Sequence, residues 1–297
     1  MEIFCRLIRV GGFRRALKPA VLRGIINFSL NRDWRNCYGL DIRSKTEKTF
    51  RLLFPERSSR WLTLRRFIYQ SLEEVKTFSF LTEDYLRVYN FEGLERLPQG
   101  GAVLISFHLL NFPVMLASLA QITGRRLYPL AYNLFKDAKV PRVTKRYFAF
   151  KYSCMTKKLN GGRLIYLDQG RESLKLKLKL KRVLEEGHWV LILCDLPELQ
   201  RQYAYTFCGR KWYFASGGAR LAEICGVPLI PVGVREEKGF KWTIIFGPPL
   251  KDRDFRRNMQ EALLFLEESV RKAPWLWYAA DVALDYKAEE PNENAFR

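Results

Sequence analysis

The stretch Trp189–Cys194, WVLILC, limits what this chain can fold into more than any other. It is short, it holds no charged or hydroxylated side chain, and Asp195 ends it. Such a run is expected to be a central strand buried on both faces, as in parallel sheets covered by helices. Further strand-type runs lie at Ala102–Ile105, Arg126–Ala131, Arg163–Leu167, Val227–Gly233 and Trp242–Phe246. Helix-type segments alternate with them: Val114–Ala120, the very basic Lys136–Lys158, the stretch from Ser216 to Gly226, and Arg256–Lys272. The alternation predicts an α/β fold, a single domain with a mostly parallel sheet flanked by helices. A hydrophobic content of 48% with 14% aromatics supplies the core that this requires and excludes global disorder.

One segment sets two rules against each other. Leu174–Lys181, LKLKLKLK, alternates with period two and by that rule is a strand. It runs unbroken into Arg182–Gly187, where glycine is a helix stop signal, and both Leu and Lys are good helix formers. A helix is therefore expected, with its apolar face drawn from Leu174, Leu178 and Leu184.

Residues 34–95 read as helices, at Thr46–Phe54, Leu62–Phe78 and Thr82–Tyr89, before a short strand and turn from Tyr89. The expected organisation is a helical N-terminal region, 1–95, packing on an α/β core, 96–297, within one structural domain. Met1–Leu30 is basic and apolar by turns. Lys18 and Arg23 interrupt its best apolar span, which falls short of the ~20 residues a crossing helix needs. No small-residue cleavage site follows, so it does not read as a signal peptide. It suits either a membrane interface or a helix packed on its own domain.

The formal charge of +20 implies an anionic partner: nucleic acid, an acidic lipid surface, or an acidic protein or substrate. The basic residues lie on several expected helices with no recognition motif, which argues against nucleic acid. Six cysteines form no CxxC pair and no ligand-like spacing with either histidine. They are expected to be free thiols in a reducing compartment, with no metal site and no cofactor.

The strand Ala102–Ile105 delivers Ser106, Phe107 and His108 to its C-terminal end, where open α/β sheets bind their ligands. An imidazole among apolar neighbours can take a proton from an acceptor hydroxyl or amine. The plainer alternative is a core histidine satisfied by a backbone carbonyl. His188, at a helix end before a buried strand, reads as structural.

In collinear order, within about residues 20 to 280, His108–Pro113, Cys194-Asp195, Phe207–Arg210, Ser216–Ala222 and Gly226–Val232 resemble the motifs of the lysophospholipid acyltransferase superfamily, in particular its lipid A late acyltransferase branch. His108-Leu-Leu-Asn111-Phe112-Pro113 matches that branch's His-x-x-Asn-Trp-Glu, and Cys194-Asp195 its strand-ending Asp. Phe207-Cys208-Gly209-Arg210 matches a Phe-x-Gly-Arg/Lys turn. Ser216–Ala222, Gly226–Val232, Gly247–Leu250 and the tail Pro274-Trp275-Leu276-Trp277 follow the family in the same order. The chain departs from the pattern twice. Pro113 stands where the family has the carboxylate that orients its histidine, and Tyr132-Asn133-Leu134 stands for a Tyr-Arg-Pro.

The resemblance implies transfer of a fatty acyl group from a thioester donor to a hydroxyl or amine of a lipid acceptor, with His108 as general base. Asp195 is the first candidate for the missing acid and Asp168 the second, with Glu198 also near a strand end. Asn111, Asn133, Arg171, Arg210, Ser216 and Arg220 are the candidate substrate-binding residues. The implied partners are acyl carrier protein or acyl-coenzyme A, a lipid acceptor and an anionic membrane surface. The implied place is cytoplasmic, peripheral on the inner face of the cell membrane. The alternative is a catalytically inactive member that binds acyl-lipid or carrier protein.

Overall fold

The computed structural model describes residues 2–79, 89–109, 112–167, 174–195, 203–237 and 241–286. Asn111, Asp168, Arg171 and Glu198 lie outside them, as does the expected helix from Thr82 up to Tyr89.

Among the described residues there are nine strands, in chain order β1 (Tyr89–Glu92), β2 (Ala102–Ser106), β3 (Leu127–Tyr132), β4 (Ile165–Leu167) and β5 (Trp189–Leu193). Then come β6 (Tyr205–Phe207), β7 (Arg210–Trp212), β8 (Leu229–Glu237) and β9 (Lys241–Phe246). Seven of them form one sheet in the order β1-β9-β8-β2-β5-β3-β4. Strands β8, β2, β5, β3 and β4 run parallel; β9 returns antiparallel to β8, and β1 lies parallel to β9. The sheet is thus mostly parallel. Strands β6 and β7 make a separate antiparallel hairpin over the Phe207–Arg210 turn.

The strand expected to be central is central. Every residue of β2 is buried, as are Trp189, Val190 and Leu191 of β5, because helices cover both faces. Gly101 enters β2 against the Leu184 carbonyl, where any Cβ would collide.

The covering helices are α1 (Glu2–Ser29), α2 (Ile42–Leu53), α3 (Ser59–Ser79), α4 (Phe112–Thr123), α5 (Arg142–Thr156), α6 (Leu174–Glu185), α7 (Gly217–Cys225) and α8 (Phe255–Lys272). Helix α8 buries Met259, Ala262, Leu263, Leu266 and Val270, one stripe at helical spacing. Helix α7 ends at Gly226, whose φ of 63° is left-handed and natural for glycine. Helix α5 starts later than its composition suggests. Pro141 precedes it, and a proline disfavours helical backbone at the residue before it.

LKLKLKLK is helical, so the period-two rule yields to the helix that continues it. The apolar face differs from the one expected. Leu180, Val183 and Leu184 are buried, whereas Leu174 and Leu178 are 74% and 60% exposed. Leu174 and Leu178 fall on a stripe that continues through Lys181 and Glu185, so they turn outward with the charges.

The N-terminal segment forms a helix packed on its own domain. It packs along α3: Ala16 and Ala20 are fully buried, Gly24 lies against the Ile68 backbone, and Arg23 pairs with Glu74. Leu22, Ile25 and Ile26 nevertheless stay exposed along its outer side, as does Leu30 just after it. No helix among the described residues is long and apolar enough to cross a membrane.

Candidate active site

Register builds the site. Strands β2 and β5 are paired neighbours with Ser106 opposite Leu193, so two residues further His108 comes opposite Asp195 at the carboxyl ends. The Cys194 amide donates to the Ser106 carbonyl at 2.9 Å and carries the pairing past the last strand residue. The Leu109 amide then folds back to the Phe107 carbonyl at 2.7 Å, so His108 sits at the apex of a tight turn.

The side chains meet there. His108 Nδ1 lies 2.6 Å from Asp195 Oδ1, and the His108 backbone N–H donates to Oδ2 at 2.7 Å. Trp277 Nε1–H donates to the same Oδ2 at 2.8 Å. Asp195 is fully buried, while the His108 side chain is 32% exposed. A carboxylate can only accept, so Nδ1 carries a proton, and in the neutral ring Nε2 then presents its lone pair. The contact fixes the orientation of a partly exposed imidazole at the carboxyl end of β2.

Asp195 brings to His108 a carboxylate that the neighbouring chain, with Pro113 five residues on, does not offer. Pro113 falls in the first turn of α4, a position that tolerates its fixed φ and missing N–H. A wall of aromatic rings backs the pair. Phe107 stacks on Trp277 with centroids 5.5 Å apart, and Phe207 packs edge-on against both, at 5.3 and 5.7 Å.

The other described candidates do not all lie at this carboxyl end of the sheet. Asn133 directly follows β3, next to β5 in the sheet, so it lies at the same end. Arg210 opens β7 in the hairpin that contributes Phe207. Ser216 is the N-cap of α7 and is buried; Gly218, two residues on, packs the helix on Ile192 of β5. Arg220 stacks over Tyr203 at 5.1 Å and Phe255 at 4.8 Å, at the start of α8, which follows β9 back toward the amino ends of the parallel strands.

Two thiols lie near but are poor nucleophiles. Burial, reinforced by the Asp195 charge, pushes the Cys194 thiol well above its ordinary value. Burial, with Glu267 beside it, pushes Cys208 up to about 12. No group of three or more His, Cys, Asp or Glu among the described residues is placed to hold a metal.

Sequence reasoning missed the C-terminal segment as part of the site. The Tyr278 amide donates to the His108 carbonyl at 2.7 Å, and Leu109 pairs with Trp277 in an antiparallel bridge. That segment is held in turn by a buried charge cluster. Arg66 donates to the Tyr278 carbonyl at 2.8 Å, Arg35 pairs with Asp281 at 2.6 Å, and Trp34 donates to the Tyr278 hydroxyl at 2.7 Å. Burial alone raises the Asp33 carboxyl, but the Arg35 and Arg66 charges outweigh it and hold the group at about 2. The signals available were the tail Pro274-Trp275-Leu276-Trp277, which follows the family pattern, and an indole N–H that seeks an acceptor when buried.

A mostly parallel α/β sheet with a histidine–aspartate pair at the carboxyl ends of adjacent central strands is the class that fold and site define together. The family described as bacterial lipid A biosynthesis acyltransferase matches residues 72–279, well over half of the chain, and the chain belongs to that family. At family level it is an acyltransferase of lipid-like substrates. No curated protein matches. Among solved structures, the 1-acyl-sn-glycerophosphate (LPA) acyltransferase PlsC from Thermotoga maritima is similar over 91% of this chain and 98% of that chain, with 15% identity and a TM-score of 0.39. Nothing further rests on that distant likeness.

Proposed function

We propose that this protein transfers a fatty acyl group from a thioester to a hydroxyl or amine of a lipid or lipid-like acceptor, with His108 as general base and Asp195 in place of the family's motif acid. The observation that carries this reading is the 2.6 Å contact of His108 Nδ1 with buried Asp195, which leaves Nε2 of the partly exposed ring for the acceptor. The acceptor O–H or N–H bonds to Nε2, and its proton moves there as the oxygen or nitrogen attacks the thioester carbonyl. The imidazolium so formed is stabilised by Asp195. Backbone amides or Arg and Lys side chains at the strand ends stabilise the tetrahedral oxyanion. Collapse breaks the C–S bond, and the departing thiolate recovers the proton from Nε2. No covalent acyl-enzyme is required, in keeping with the raised Cys194 and Cys208 thiols.

The +20 charge suits both candidate donors, since acyl carrier protein is acidic and coenzyme A is a polyanion. The same charge, with the exposed Leu22, Ile25 and Ile26 of α1 and Leu30 just after it, suits peripheral attachment to the anionic inner face of the cell membrane. Residues 1–95 would then be the membrane-facing part of one structural domain. Pro113 at the motif position favours a second reading, a member that binds acyl-lipid or carrier protein without turning it over. The deciding experiment is thioester-dependent acylation of lipid acceptors by wild type and His108→Ala, with carrier-protein and coenzyme A donors. Turnover lost only in His108→Ala supports the enzyme. Equal turnover in both ends the base role, and bound donor without turnover in either supports the binding protein.

A further inference from the structure

We propose that Trp277 is a positioning residue for the His108–Asp195 pair, fixing which carboxylate oxygen faces the imidazole. A carboxylate turns easily about its last side-chain torsion, which has broad, nearly twofold preferences. Burial of Asp195 does not stop that rotation; directed donors do. Oδ2 receives the His108 backbone N–H at 2.7 Å and the Trp277 indole N–H at 2.8 Å, and with that oxygen pinned, Oδ1 points at Nδ1 at 2.6 Å. Trp277 is fully buried and stacked on Phe107, so its indole has little freedom to follow a rotating carboxylate.

The backbone around Trp277 also holds the other partner. The Tyr278 amide bonds the His108 carbonyl, so one short segment grips the acid through a side chain and the base through the main chain. Arg35, Arg66 and Trp34 anchor that segment at Tyr278 and Asp281. Helices far from the site in sequence therefore set the geometry of the pair. Among the described residues, Asp195 is the charged group in contact with the His108 ring, and the segment's own Asp281 is paired with Arg35 and Arg66.

Without the indole N–H the carboxylate turns more freely and Oδ1 is less often aimed at Nδ1, and a less directed negative charge favours the protonated imidazole less. Trp277→Phe keeps a ring against Phe107 and deletes the donor. Its effect on rate rests on the reading of His108 as base; its effect on titration does not. Proton NMR titration follows both histidines of the chain, with His188 as the internal control. In Trp277→Phe the His108 midpoint is expected to fall by about half a unit to one unit, while that of His188 stays put. In acyl transfer, kcat falls, donor KM stays, and the acid limb of the pH profile moves the same way.

A folded Trp277→Phe protein with an unmoved His108 midpoint overturns the proposal. If the variant does not fold, the seven indole N–H signals are compared between wild type and Asp195→Asn. One signal that moves supports the bond, and none that moves overturns it. A shifted His108 midpoint in a protein without any turnover leaves the positioning role standing and ends the acyltransferase reading.

Discussion

Replacing Asp195 with asparagine changes one atom and, through it, the tautomer of His108. The new amide has two possible orientations. With its NH2 at the Oδ2 position it faces two donors, the His108 N–H at 2.7 Å and the Trp277 indole at 2.8 Å. With its NH2 at the Oδ1 position it faces one group, Nδ1 at 2.6 Å, and donates to it. The second arrangement spoils fewer bonds and prevails. It places the proton on Nε2, the nitrogen that the mechanism needs as base. To react, the site must adopt the first arrangement and leave two buried donors unmatched, each at about 1–3 kcal/mol. The sum of about 2–6 kcal/mol corresponds to roughly 30-fold to 10⁴-fold in rate, at 1.36 kcal/mol per tenfold. Loss of the charge that stabilises the imidazolium adds to this, and the same change in a serine-protease triad costs about 10⁴-fold. We expect kcat to fall by about 10³-fold to 10⁴-fold on these grounds, with donor KM little changed. Thiol release from an acyl thioester, measured at initial rate with His108→Ala as the floor, reads this directly. The double variant should be no slower than His108→Ala, because residues acting as a unit are not additive. Turnover of Asp195→Asn within about tenfold of wild type, equivalent to about 1.4 kcal/mol, would refute the assignment of Asp195 as the orienting acid.

Three other outcomes follow from particular contacts. Asp33 is held at about 2 against an ordinary 3.8, so the stability it contributes is present above pH 4 and disappears as pH falls through about 2. That contribution is about 2 kcal/mol, so the melting temperature of wild type should fall faster than that of Asp33→Asn across this window, and parallel curves would deny the coupling. Gly24→Val forces a side chain into the Ile68 backbone and should lower stability by about 1–3 kcal/mol in denaturant titration; an unchanged midpoint would mean that α1 does not pack on α3. Binding to anionic vesicles should be strong at low salt and weak at high salt. Leu22→Ser with Ile26→Ser should weaken it at least about tenfold through lost apolar burial, and undiminished binding would show that the outer side of α1 is not the docking face.

The sequence alone settled what is local. Apolar runs marked β2 and β5 because a strand buried on both faces needs no polar residue, and the residues that end them, His108 and Asp195, were visible as candidates. Helix formers and a glycine stop were enough to identify α6 against its misleading period. Its buried face was not legible, since which stripe turns inward depends on the neighbour it packs against, and Leu180, Val183 and Leu184 won over Leu174 and Leu178. The meeting of His108 with Asp195 was likewise beyond any local pattern. These residues are far apart in the chain and become opposite only because β5 inserts between β2 and β3 in that register. Trp277 was visible in a tail motif but not its bond to Asp195, and Arg35, Arg66 and Asp281 lie further still from recognition. A one-dimensional pattern records spacing along the chain, whereas a buried N–H or charge finds its partner through the path of the backbone in space. That path joins the two ends of this protein behind its candidate active site.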